Sequence, residues 1–208
     1  MNFKTEQENF WAGDFGEEYI SRNSGSKIIS SNLNFLSNAL ENTRDFSGCI
    51  EFGANAGMNL IALKLLFPGL KMDAIEINPE AVKTLRENFP NATIYEGSII
   101  DFKPLKKWDL VLIKGVLIHI NPKYLEKVYE NLFNSTSRYI LLCEYYSRAP
   151  EKLDYRGYKN KLFKRDFCGE LLDRYKNLRL VDYGFVYHRD QRFPQDDLSW
   201  FLLEKVDG

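Results

Sequence analysis

The stretch Cys49-Ile50-Glu51-Phe52-Gly53-Ala54-Asn55-Ala56-Gly57-Met58-Asn59-Leu60 limits the fold more than any other. A short apolar run ends in small residues, and a pattern of helical period then begins with Leu60, Ile61, Leu63, Leu65 and Leu66. The run reads as a buried parallel strand, the pattern as a helix, with a glycine-bearing turn between. Gly53 and Gly57 let backbone approach a ligand with no Cβ in the way, and the helix start offers unpaired N–H groups. Such a turn suits an anionic ligand that carries a nucleoside. Asn55 stands where loops of this kind often have another glycine. Of the other residues Asn best tolerates positive φ, so the turn survives the exchange.

The same alternation continues downstream. Met72–Ile77 reads as a strand, and Asn78-Pro79-Glu80 as a helix start with Asn78 as cap, the helix running to about Asn88. Asn91–Tyr95, Trp108–Ile113 and Tyr139–Tyr146 are three further strands, with a helix carrying Leu125, Val128, Tyr129 and Leu132 before the last. Strands alternating with helices at this spacing predict an α/β, Rossmann-like, doubly wound sheet. Leu178–Tyr187 and Leu198–Lys205 are joined by a polar loop too short for a crossover helix, so they are expected to pair antiparallel. The expectation is therefore a mostly parallel, seven-stranded sheet with a C-terminal antiparallel hairpin. Upstream, residues 5–22 form an aromatic-rich leader and residues 26–43 a packed helix. Residues 1–45 together are read as N-terminal lid and packing helices of a single domain, 1–208. The basic stretch from Lys152 to Arg165 reads as a solvated loop and helix start.

A chain of 208 residues that is 44% hydrophobic suits one domain with a sizeable core. A net charge of −1 argues against a broad nucleic-acid-binding face. Cys49, Cys143 and Cys168 lack zinc-ligand spacing and fit reduced core thiols of a cytoplasmic protein, and no metal is expected. The polar, acidic first residues do not read as a signal peptide, and no apolar run is long enough to span a bilayer. The expected partner is a small molecule; oligomeric state is left open.

Glu76 ends the strand that follows the turn, where a carboxylate can accept both hydroxyls of a ribose. Nicotinamide binding requires G-x-G-x-x-G, whose second and third glycine positions hold Asn55 and Met58 here. That counts for a cofactor with no pyrophosphate, and S-adenosylmethionine (SAM) fits, with S-adenosylhomocysteine (SAH) as product.

Taken together these residues resemble a class I SAM-dependent methyltransferase from Phe10 to Lys205. The nearer resemblance is to methylases associated with pseudaminic acid biosynthesis. It is carried by Phe10-Trp11-x-x-x-Phe15-Gly16, the turn 51–57, Lys114–Pro122, Glu144-Tyr145-Tyr146, Tyr155-Arg156-Gly157 and Lys164-Arg165-Asp166-Phe167. The resemblance implies methylation of a hydroxyl or amine on a small polar carbohydrate or nucleotide sugar for surface glycans. Two other readings stay open at this point: a non-catalytic SAM-binding partner protein and a nicotinamide-dependent sugar reductase.

Ligands of doubly wound sheets bind outside the carboxyl ends of the strands. The candidate cofactor residues are accordingly Gly53, Ala54, Asn55, Gly57, Glu76 and Ile77, with Ser98 and Ile99 beside adenine and Lys114 and Gly115 beside the methionine moiety. Trp11, Tyr19 and Arg22 close over the cofactor in one reading and form an ordinary packed lid in the other. His119 is a candidate general base or else a histidine bonded to backbone; Tyr145 is a second catalytic candidate. Tyr146, Arg156 and Arg165 are candidate substrate contacts, the arginines for a carboxylate or phosphate.

Overall fold

The computed structural model describes residues 3–206. Five strands, β1 (Gly48–Phe52), β2 (Lys71–Glu76), β3 (Ile94–Glu96), β4 (Trp108–Lys114) and β5 (Thr136–Glu144), run parallel. A separate antiparallel pair follows, β6 (Glu151–Tyr155) and β7 (Tyr158–Lys164). The last two strands are β8 (Leu178–Val186) and β9 (Leu198–Lys205). The main sheet has seven strands in the order β3-β2-β1-β4-β5-β9-β8, and β9 is antiparallel to both its neighbours. The mostly parallel sheet with a C-terminal antiparallel pair is thus the one expected.

Side chains of a strand alternate between faces, and here that alternation builds two cores. Ile50, Phe52, Val111, Ile113, Ile140 and Leu142 point to one face and pack with Leu125, Val128 and Leu132 of α6 (Leu125–Ser135) and Leu171 of α7 (Phe167–Arg174). Cys49, Leu110, Leu112, Leu141 and Cys143 point to the other. There they meet α3 (Ser26–Ala39) through Phe35 and Leu36, α4 (Met58–Leu66) through Leu60 and Leu63, and α5 (Pro79–Asn88) through Leu85. Strands buried on both faces read as unbroken apolar runs, which is why β1, β4 and β5 stand out in the sequence. The N-terminal helices α1 (Glu6–Ala12) and α2 (Asp14–Arg22) precede α3, and no helix among the described residues is long and apolar enough to cross a membrane.

Three expectations need correction. The strand expected at 91–95 is β3, only Ile94–Glu96. The fifth strand ends at Glu144, so Tyr145 and Tyr146 do not alternate across the sheet; Tyr146 makes only an isolated bridge with Arg165. The basic stretch is no solvated loop: it is the β6–β7 hairpin, turned at Arg156 (φ 49°) and Gly157 (φ 86°), with Leu162 and Phe163 buried. Two successive positive φ values give the turn the twist that antiparallel strands need.

Candidate functional site

A cavity of ≈ 190 Å³ opens beyond the carboxyl ends of β1, β2 and β4. It exceeds the about 150 Å³ that accepts a benzene ring in a protein interior, so it has room for organic groups as well as water. Its floor is the β1–α4 turn, where Gly53, Asn55 and Gly57 have φ of 75°, 49° and 83°. Asn55 therefore adopts the left-handed conformation for which it was singled out. A Cβ on Gly53 would lie 2.6 Å from Val116 in the facing wall. At Gly57 it would strike Phe89 and Leu85 at 2.7 and 2.9 Å. Gly57 thus serves the packing of the α5 segment against the turn and does not line the cavity.

Glu76 ends β2 in the wall, 7% exposed. Its Oε2 accepts the Asn55 N–H at 2.7 Å, and its Oε1 accepts those of Ile77 and Asn78 at 2.8 Å. Burial raises its pKa, while these three N–H groups pull in the other direction. Each carboxylate oxygen has two lone pairs, so Oε2 keeps one for a further donor. On the β1 and β4 side, Asn59 Nδ2 donates to the buried Glu51 at 2.6 Å, and Lys114 Nζ to Asn32 Oδ1 at 3.3 Å. Burial pushes the Glu51 carboxyl up to about 8. Glu144, at the end of β5, accepts the N–H groups of Val116, Leu117 and Ile118 and fixes the loop after β4; burial lifts it to about 7.

The opposite wall comes from the N-terminal helices. Thr5 and Glu8 form a capping box, which starts α1 and aligns Glu8 with Trp11, one turn further on. Trp11 stacks obliquely on His119 with 4.6 Å between ring centroids, and Tyr19 meets Trp11 edge-on at 5.2 Å. Asn78 ties this wall to the sheet, donating from Nδ2 to the Trp11 carbonyl at 3.1 Å while its Oδ1 caps α5. His119 lies 2.5 Å from the Lys161 carbonyl through Nδ1, which must therefore carry the proton. Burial depresses its pKa to about 4. At neutral pH the ring is neutral, with the lone pair on Nε2.

Trp11, Tyr19, Gly53, Ala54, Asn55, Glu76, Ile77, Ser98, Ile99, Lys114, Gly115 and His119 all line this cavity. Six candidates lie outside its walls. Gly57 is accounted for above. Arg22, at the end of α2, pairs with Glu18 at 3.4 Å and stands over Phe15. Arg165 is held by Glu170 at 2.7 Å, and Glu170 also accepts the Tyr129 hydroxyl, so this guanidinium is already neutralised. Arg156 is an exposed turn residue beside the Tyr155 ring. Tyr145 is half-buried where the two cores meet, under Lys164, and Tyr146 is 45% exposed. Polar residues of the wall that were not among the candidates include Glu8, Asn59, Asn78 and Asn121. Glu8 and Asn78 carry readable signals, the Thr5-x-x-Glu8 capping pattern and the Asn78-Pro79 helix start, but those mark helix ends and not a cavity wall. Among the described residues no group of three or more His, Cys, Asp or Glu side chains could hold a metal ion.

Residues 50–137 match a family model described as "Methyltransferase domain". A comparison with curated protein sequences gives no match. Among solved structures, the chain is similar to CalS10, an amino pentose methyltransferase from Micromonospora echinaspora (9% identity, TM-score 0.65, 99% of each chain). It is also similar to the N-methyltransferase NodS from Bradyrhizobium japonicum (12%, 0.66, 93% of this chain and 100% of that one). A third is the mitomycin 7-O-methyltransferase MmcR (14%, 0.68), of which this chain spans 61% while 97% of it is covered. The matched stretch is a methyltransferase domain, and the fold is that of SAM-dependent methyltransferases, enzymes whose cofactor is S-adenosylmethionine. The residues present fit that group. Asn55 Oδ1 and Asn59 Oδ1 are buried acceptors without partners beside the turn, and Glu76 has a lone pair to spare. SAM brings donors in kind: an ammonium, an adenine amine and two ribose hydroxyls.

Proposed function

We propose that the enzyme methylates a hydroxyl or amine of a small polar carbohydrate or nucleotide sugar in the making of a surface glycan, of pseudaminic acid type by sequence resemblance. The observation that carries the reading is the pairing of two walls of one cavity. The glycine turn and Glu76 stand on one side of the cavity, and a buried neutral histidine under an aromatic lid stands across it. A likeness of fold over the full length of an amino pentose methyltransferase agrees with a sugar acceptor.

SAM supplies an electrophilic methyl group when bound. The chain's part is to hold and orient, since alignment of two reactants removes much of such a barrier. Glu76 is the residue for the ribose hydroxyls, Ser98 and Ile99 border adenine, and Lys114 and Gly115 lie beside the methionine end. Trp11 and Tyr19 close the site from water. His119, its Nδ1 proton committed to the Lys161 carbonyl, presents Nε2 to accept a hydrogen bond from the acceptor. Tyr145 stands outside the cavity walls and has no part in this reading.

Calorimetric titration with SAH tests the reading. The wild type is expected to bind, and Glu76→Ala to bind at least tenfold more weakly, about 1.4 kcal/mol. No heat with the wild type, or equal affinity in the variant, would overturn it. Mass spectrometry of nucleotide sugars incubated with SAM then identifies the acceptor.

A further inference from the structure

Glu8 is 5% exposed and lines the cavity, yet only half of its carboxylate is engaged. Oε2 accepts from Thr5 N–H at 2.8 Å, Thr5 Oγ1 at 2.9 Å and Lys4 N–H at 3.0 Å. Oε1 is buried with no partner. A buried carboxylate oxygen left unsatisfied is costly, and three donors on its sister oxygen hold it in place. The neighbouring Trp11 shows the converse, its indole Nε1–H also buried and unpartnered. Glu8 and Trp11, one helical turn apart on α1, line the same cavity as His119, whose ring is 4.6 Å from that of Trp11. This corner therefore offers two fixed acceptors, Glu8 Oε1 and His119 Nε2, and one fixed donor.

We propose, building on the methyltransferase reading above, that Glu8 and His119 form a seat for an amine, so that the acceptor is an amino sugar methylated on nitrogen. A neutral primary amine has two N–H donors and one lone pair. Two acceptors take the two N–H bonds and leave the lone pair aimed elsewhere, whereas a hydroxyl has a single O–H and satisfies only one of them. Trp11 Nε1–H is matched by a ring or hydroxyl oxygen of the same sugar. In the transfer the amine lone pair forms the N–C bond as the S–C bond of the sulfonium breaks. The electron pair of that bond stays on sulfur, and the surplus ammonium proton passes to the Glu8 carboxylate. A hydroxyl would instead need a base strong enough to draw off its proton during attack, and a buried histidine of depressed pKa is a poor one.

The test uses the full-length protein loaded with SAH. UDP- and TDP-linked sugars bearing a free amine are titrated calorimetrically, each paired with its hydroxyl counterpart. The seat predicts that at least one amine binds tenfold or more tightly than its hydroxyl partner. Glu8→Gln keeps an oxygen for the Thr5 and Lys4 donors and turns an NH₂ toward the cavity in place of Oε1. It is expected to abolish that preference and lower N-methylation kcat/KM at least 100-fold, with SAH affinity and melting temperature unchanged. Hydroxyl sugars binding as well as amines, or no amine binding at all, overturns the seat while SAH binding leaves the methyltransferase reading intact. A loss of SAH affinity in Glu8→Gln equal to the loss of sugar affinity also overturns it, assigning Glu8 to the cofactor. Failure of the wild type to bind SAH sinks both.

Discussion

Gly53 and Gly57 lie four residues apart, both with positive φ, and a methyl group on each would meet a different part of the molecule. At Gly57 it runs into Phe89 and Leu85, both buried in the core. Overpacking plus an unfavourable φ is expected to cost Gly57→Ala about 2–4 kcal/mol, read from the midpoint of urea unfolding. At Gly53 the new methyl pushes on Val116, a cavity-wall side chain. Gly53→Ala is therefore expected to lose SAH affinity, tenfold or more, out of proportion to its loss of stability. If the two variants show the same ratio of stability to affinity loss, the separate roles argued for these glycines are wrong. The sequence alone could mark both as ligand-facing but could not tell them apart, because what a Cβ meets depends on α5, more than twenty residues downstream.

At the scale of elements, Asn78 joins the N-terminal lid to the sheet. Its side-chain oxygen caps α5 and its side-chain nitrogen reaches the Trp11 carbonyl. Asn78→Ala is expected to lose about 1–2 kcal/mol in urea unfolding from the cap alone. Asn78→Asp keeps the cap but sets a carboxylate against the Trp11 carbonyl, so it is expected to keep most of the stability and still bind SAH more weakly. Equal SAH affinity in Asn78→Asp and the wild type would show that the lid needs no such tether. The cap itself could be read from Asn-Pro-Glu, since capping is a local matter. Its second bond could not, since it depends on where a helix 67 residues upstream comes to rest. The same division explains the hairpin. In 151–164 six Lys, Glu and Asp residues obscure a two-residue Arg-Gly turn, and only the tertiary structure shows Leu162 and Phe163 entering the core. Strand ends are the readable part of the site, because a doubly wound sheet brings the carboxyl ends of its parallel strands to a single edge. The rotation of lid residues is not, so neither the pairing of Arg22 with Glu18 nor the place of Glu8 in the wall can be read from the chain alone.

Over the whole molecule, three buried titratable groups, His119 in the cavity wall, Glu51 on β1 and Glu144 on β5, set opposing pH dependences. His119, depressed to about 4, stays neutral in the fold while the unfolded chain takes up a proton below about 6.5; this erodes stability as pH falls from 6.5 towards 4. Glu51 and Glu144, raised to about 8 and about 7, keep their protons in the fold while the unfolded chain loses them above about 4.5. That erodes stability as pH rises, through about 7 for Glu144 and about 8 for Glu51. Each group contributes about 1.4 kcal/mol per pH unit within its own window. Between pH 5 and 6.5 two carboxylates outweigh one histidine, and above 6.5 the histidine no longer opposes them. Stability of the ligand-free protein is therefore expected to decline steadily from pH 5 to pH 8, measured by urea unfolding. Glu51→Gln removes one of the two declining contributions. Above pH 7, where Glu144 has also titrated, Glu51 is the last of the three still resisting ionisation, so the variant curve should run nearly flat there while the wild type continues to fall. Parallel curves would mean that Glu51 is already ionised at neutral pH, held so by the Asn59 hydrogen bond and the charge of Lys114.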